Sequence, residues 1–88
     1  MLKISLAESS SQGVTLRLEG QLIGPWVREL RKTCEESLHN GRRLILDLSE
    51  VSFVDGEGIA LLHSLMASRV VLRNCSPFVT EQLKGGAV

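Results

Sequence analysis

Aromatic residues are scarce in this chain: its 88 residues hold only Trp26, Phe53 and Phe78, and no tyrosine. Three scattered rings make no platform for stacked bases. Excess charge of one sign is also missing, since ten basic and ten acidic residues cancel. Without a Lys/Arg cluster, the counterion release that draws proteins to phosphate backbones has no source. No nucleic-acid partner is expected. Long hydrophobic runs are absent, and no segment approaches the ~20 apolar residues of a membrane span. The start, Met1-Leu2-Lys3-Ile4-Ser5-Leu6, alternates apolar and polar residues and lacks the apolar stretch of ~7–15 residues of a signal peptide. A cytoplasmic protein with no direct membrane insertion is the expectation. The two cysteines, Cys34 and Cys75, have no CxxC spacing and no histidine at ligand spacing, so core packing outweighs zinc or redox roles. His39 and His63 sit near neither each other nor a nucleophile. No cofactor, metal or catalytic residue is expected.

What is present has a clear order. Leu2, Ile4 and Leu6 alternate with Lys3 and Ser5, and after a polar turn Val14, Leu16 and Leu18 alternate with Thr15, Arg17 and Glu19. This predicts a hairpin with one apolar face. Gly24-Pro25 opens a helix with proline where its missing N–H costs nothing. Val27, Leu30, Cys34 and Leu38 form its buried stripe, with Trp26 flanking the core, and Gly41 stops it. Leu44 to Leu48 is more continuously apolar, as a central parallel strand is. A second helix is predicted over Glu57 to Ser68, a short strand over Val70 to Leu72, and a third helix after Ser76-Pro77. The fold class is α/β: one domain over residues 1–84, ββαβαβα, a mixed four-stranded sheet with helices mainly on one face. Residues 85–88 are read as a frayed tail. A polar sheet face and a small core leave room for a homodimer through the edge strand.

The stretch Val54-Asp55-Gly56-Glu57-Gly58-Ile59 runs a strand through an acidic, glycine-bearing turn into a helix. Such turns at the carboxyl ends of strands are where open α/β folds make contacts. It has no Lys-Ser/Thr ending of a phosphate loop and too few oxygen ligands for a calcium loop. Asp55 and Glu57 alone, without a cleft, do not make an acid/base pair. Asp55 is placed to cap the helix amides or to touch a partner. Glu57 is either a helix-start carboxylate favoured by the dipole or a fixed negative determinant of partner choice. With Ile59, Leu62, Leu65 and Met66 packed inward, Ala60, His63, Ser64 and Ala67 turn outward as a face of short side chains beside the turn. The candidate partner-binding residues are therefore Asp55, Gly56, Glu57, Gly58, Ala60, His63, Ser64 and Ala67.

Leu46-Asp47-Leu48-Ser49, then Phe53-Val54-Asp55-Gly56-Glu57-Gly58-Ile59 and Leu61-Leu62, with Asn74-Cys75-Ser76-Pro77 after the last strand, resembles the core signature of STAS domains, the family of anti-sigma factor antagonists. In that family a Ser or Thr in an Asp-Ser-Ser-Gly type turn is phosphorylated by a partner kinase, which switches binding off. Asp55 matches the family's turn aspartate and Gly58 its turn glycine. Gly56 replaces the first hydroxyl residue and Glu57 the phosphorylated one, so this degenerate phosphosite cannot take a phosphate. Ser49, Ser52 and Ser64 flank the turn without aligning to the acceptor.

The resemblance implies a non-enzymatic interaction module whose partner is an anti-sigma factor or a histidine-kinase-like ATPase. Two alternatives stand beside it. One is a small STAS subunit that binds the ATPase of a lipid-transport ABC system. The other is a STAS domain sensing a nucleotide or a small apolar ligand.

Overall fold

The alternating amino-terminal residues form β1 (Leu2–Ser9) and β2 (Gly13–Leu22), paired antiparallel in a computed structural model that describes residues 1–85. Ser10 holds the turn between them: its N–H donates to the Gly13 carbonyl at 2.8 Å and its hydroxyl accepts from the Gln12 and Gly13 amides. Helix α1 (Pro25–His39) follows, then β3 (Arg43–Val54), α2 (Gly56–Ala67), β4 (Val71–Arg73) and α3 (Pro77–Gly85). The order is the expected ββαβαβα. Gly85 closes α3 instead of opening a tail, and residues 86–88, the rest of the expected frayed tail, lie outside the described residues.

The strands lie side by side in the order β1-β2-β3-β4, with β2, β3 and β4 mutually parallel. Right-handed crossovers between successive parallel neighbours put their helices on one face, and α1, α2 and α3 form that layer, with α2 against both of the others. Leu16, Leu18 and Leu22 from β2 and Leu44, Leu46 and Leu48 from β3 meet Leu30, Cys34, Leu62 and Val79 from the helices, all buried. Trp26 packs partly buried at the flank of this core. Across the other face the register brings Arg17, Asp47 and Arg73 into one row.

Two expectations are corrected. Strand β3 runs on through residues 49–54, beyond the Leu44–Leu48 segment read as the strand. Register shifts between Arg17 and Glu19 and between Gly20 and Gln21 absorb the irregularity. The Ser49 N–H donates to the Asp47 carboxylate at 2.9 Å. That bond, then the Ser49 hydroxyl, with Asn74 and Arg17 adding to them, holds the Asp47 carboxyl below its ordinary range. The second correction concerns α2: Leu61 is buried, while Met66, expected inside, is 41% exposed. A helix flanked by α1 on one side and α3 on the other buries a wider arc than a single stripe.

Cys34 lies fully within the core, as its place in the α1 stripe predicts. Burial, with the Glu35 charge adding to it, pushes its thiol up to about 12. An unfolded thiol titrates near 9.0, so between these values the folded chain keeps a proton that the unfolded chain has released. This contribution is fully present below about pH 9 and is lost as pH rises toward about 12. Urea unfolding at about pH 8 and about pH 10.5 should show a loss of stability in the wild type that is smaller in Cys34→Ala. Equal losses in both proteins would assign the alkaline effect to other groups.

Candidate functional site

Strand β3 delivers the chain to the turn, where Asp55 takes an extended conformation and caps α2. Its Oδ1 accepts from the Gly58 N–H at 2.8 Å and its Oδ2 accepts from the Gly24 N–H at 3.0 Å. Its own N–H donates to the Leu22 carbonyl at 3.1 Å, and its carbonyl accepts from the Ile59 N–H at 2.9 Å. One side chain therefore satisfies amides at the starts of both α1 and α2, groups that helices leave unpaired at their first turn. Gly24 precedes α1 at φ +53°, a left-handed conformation that favours glycine. Both carboxylate oxygens of Asp55 are thus engaged by backbone amides.

The two turn glycines do different work. Gly58 is buried, and a Cβ there would lie 2.6 Å from Val54 Cγ1 and 2.8 Å from the Leu22 carbonyl oxygen. Gly58 thus lets the first turn of α2 rest directly on the ends of β2 and β3. Gly56 is exposed, and a Cβ added there would meet nothing within 4 Å.

Glu57 is exposed in the first turn of α2, where the positive end of the helix dipole favours a carboxylate. It lines a shallow groove between α1 and α2 with Gly24, Val27, Arg28, Arg31 and Ala60. Among the described residues Glu57 makes no ion pair with either arginine; the pairs present are Lys3–Glu19 and Glu81–Lys84. Helical spacing sets Glu57, Ala60, Ser64 and Ala67 along one exposed strip.

His63 does not join that strip. It is half-buried, and a ring nitrogen lies 2.8 Å from the Leu83 carbonyl oxygen in α3. The expectation of an outward His63 is therefore corrected: α3 covers that side of α2. With it comes Gln82, which sequence reasoning missed. Its side-chain amide donates to the Val54 carbonyl at 2.9 Å, one residue before the turn, while its Oε1 is buried without a partner. Arg28, Arg31 and Gly24 were also missed as neighbours of the turn. The Gly24-Pro25 pair marks a helix start, yet nothing local signals that this start meets Asp55, 31 residues away.

The flanking hydroxyls are otherwise occupied or distant. Ser52 Oγ donates to the Gly20 carbonyl at 3.2 Å, and Ser64 lies two helical turns along α2. Among the described residues no group of three or more His, Cys, Asp or Glu side chains is placed to hold a metal ion. No described helix is long and apolar enough to cross a membrane. The arrangement is a turn with two carboxylates, Asp55 engaged by backbone amides and Glu57 exposed, beside a strip of short side chains.

Known structures share this architecture. The anti-sigma factor antagonist SpoIIAA in its unphosphorylated form aligns with a TM-score of 0.74 at 23% identity, over 93% of this chain and 82% of that one. An anti-sigma factor antagonist STAS domain from Rhodobacter sphaeroides aligns with a TM-score of 0.63 at 20% identity, over 83% and 86% of the two chains. A DUF3478 family protein with a SpoIIAA-like fold, from Shewanella loihica PV-4, aligns with a TM-score of 0.58 at 13% identity, over 88% and 69%. At these identities the likeness shows the fold. No curated protein matches the chain. The family model described as "Mlab, STAS domain" matches residues 5–84. With nearly the whole chain matched, and the β3–α2 turn inside the match, this protein belongs to the STAS domain family.

Proposed function

We propose that this chain is a non-enzymatic, STAS-type interaction module that docks a partner protein through the β3–α2 turn and the exposed strip of α2. In this reading its docking is not switched by phosphorylation of the turn. The observation that carries the proposal is the exposed Glu57 at the start of α2, in the position of the family's hydroxyl acceptor. A carboxylate there carries one negative charge, where a phosphoserine carries about 1.5 to 2 with three acceptor oxygens. It sets a permanent, weaker charge in place of a reversible one. The partner in this reading is an anti-sigma factor or a histidine-kinase-like ATPase in the cytoplasm, with sigma-factor control as the outcome.

A second reading, a STAS subunit on the ATPase of a lipid-transport ABC system, is favoured by two observations. The matching family model carries the Mlab description, and a turn without a hydroxyl suits a subunit that stays bound. Gene neighbours separate the two, since a sigma/anti-sigma locus and a transporter operon are unlike.

The mechanism is tested with Glu57→Ser against the purified partner from either locus. The substitution is expected to change affinity by roughly two- to fivefold, the size of a surface charge at a helix start. It should also make the turn a phosphate acceptor for a partner kinase, read by mass spectrometry. Unchanged affinity with no phosphate uptake would leave Glu57 as a helix-start residue and end this proposal.

A further inference from the structure

Strand β1 is the long open edge of the sheet. Among the described residues it pairs with β2 on one side only and spans eight residues, whereas the opposite edge, β4, has three. An unpaired strand of this length is a template for a further strand. The Gln21 N–H donates to the Met1 carbonyl at 2.9 Å, and Met1 precedes the Leu2–Gly20 pairing. By antiparallel alternation, Met1, Lys3 and Ser5 turn their peptide groups to β2, while Leu2, Ile4 and Leu6 turn theirs outward.

The side chains of the same three residues set the occupant. Leu2 is buried, Ile4 half-buried and Leu6 63% exposed, all on the helix face of the sheet. A groove beside them is lined by the apolar Leu2, Ile4, Pro25 and Trp26, with the charged Arg28 and Glu29 completing its wall. We propose that this edge pairs with a second copy of the chain, β1 against β1 antiparallel, with the two-fold axis at Ile4. That register sets Ile4 opposite Ile4 of the second copy and Leu6 opposite its Leu2. The outward peptide groups of both strands then bond to each other, and directly opposed side chains share a face. Each exposed Leu6 therefore reaches the other copy's groove beside Leu2 and Trp26. On the open face Lys3 falls opposite Ser5, so no like charges meet. The register shift between Leu6 and Glu8 ends the pairing.

Two further features agree. The chain has no net charge at pH 7, so the copies do not repel. The short β4 offers no comparable edge at the far side, so the contact is isologous and closes at two copies. Because β2 lies between β1 and β3, the dimer leaves both β3–α2 turns free. The result is a bivalent docking module with the avidity of two linked sites.

Analytical ultracentrifugation of the full chain across a concentration series should show a monomer–dimer equilibrium with nothing larger. Leu6→Asp, at an exposed position, should keep the wild-type melting temperature at dilutions where both proteins are monomeric. Because both copies of Leu6 are lost from the contact, it should raise the dimer dissociation constant by roughly a hundredfold. Register is read by oxidation in a background lacking Cys34 and Cys75: Lys3→Cys mixed with Ser5→Cys should cross-link several-fold faster than either variant alone. A wild type that stays monomeric throughout the series, a dimer untouched by Leu6→Asp, higher oligomers, or cross-linking without preference for the mixture would each overturn the proposal. None of these results depends on the docking turn, which is tested separately at Glu57.

Discussion

Gly58→Ala is expected to destabilise the protein by about 2–3 kcal/mol, the cost of forcing a methyl group into a packed interior. For a domain of this size that is a fall of about 10–20 °C in melting temperature. The new Cβ would sit 2.6 Å from Val54 Cγ1, 2.8 Å from the Leu22 carbonyl oxygen and 3.1 Å from Leu22 Cγ. Two of these contacts are closer than a Cβ tolerates, and one is to backbone that cannot swing aside. Relief requires lifting the first turn of α2 off the sheet, so the turn moves as well as the stability. The companion substitution Gly56→Ala meets open space. At a helical position without strain it should be neutral or stabilise by about 0.4–1 kcal/mol, through the unfolded chain. Thermal melts of the two variants side by side give the check. Equal melting temperatures would mean that α2 does not rest on β2 and β3 as described.

Asp55→Ala is expected to cost about 2–3 kcal/mol, since it removes a helix cap and a second charge-assisted bond to a backbone amide. The two bonds can be separated. Asp55→Asn keeps one acceptor oxygen but presents an NH₂ group to the other amide, so it should recover the cap to Gly58 and lose the tie to Gly24, or the reverse. About half of the loss is then expected to return. Denaturant unfolding of wild type, Asp55→Asn and Asp55→Ala should give three ordered midpoints. An Asp55→Asn variant as stable as wild type would mean that the tie to Gly24 contributes nothing.

Much of this fold was legible from spacing. The alternation through Leu2, Ile4 and Leu6, and again through Val14, Leu16 and Leu18, produced the hairpin, and the Val27, Leu30, Cys34 stripe produced α1 with its buried face. Pattern failed where tertiary contacts override it. The continuous apolar run ends at Leu48, yet β3 carries on through Ser49, Glu50 and Ser52 because β2 lies alongside and supplies pairing. On α2 a single stripe was assumed, but a neighbour on each flank buries Leu61 and covers His63.

At the turn, the helix start and the capping role of Asp55 were visible because both are local. The second oxygen's partner at Gly24 and the Gln82 bond to Val54 were not, since each joins residues far apart in the chain. The arginines beside Glu57 belong to the same class: one helical turn of α1 becomes a neighbour of α2 only through packing.

The shared carboxylate of Asp55 also decides what kind of surface the turn can be. Two helices riveted at a common point cannot pivot independently, so a visiting protein that pushes on α2 must carry the beginning of α1 with it. In the docking reading proposed above, such a surface acts as a stamp and not as a hinge: a visitor is selected by shape already in place, and little ordering remains to be done on contact.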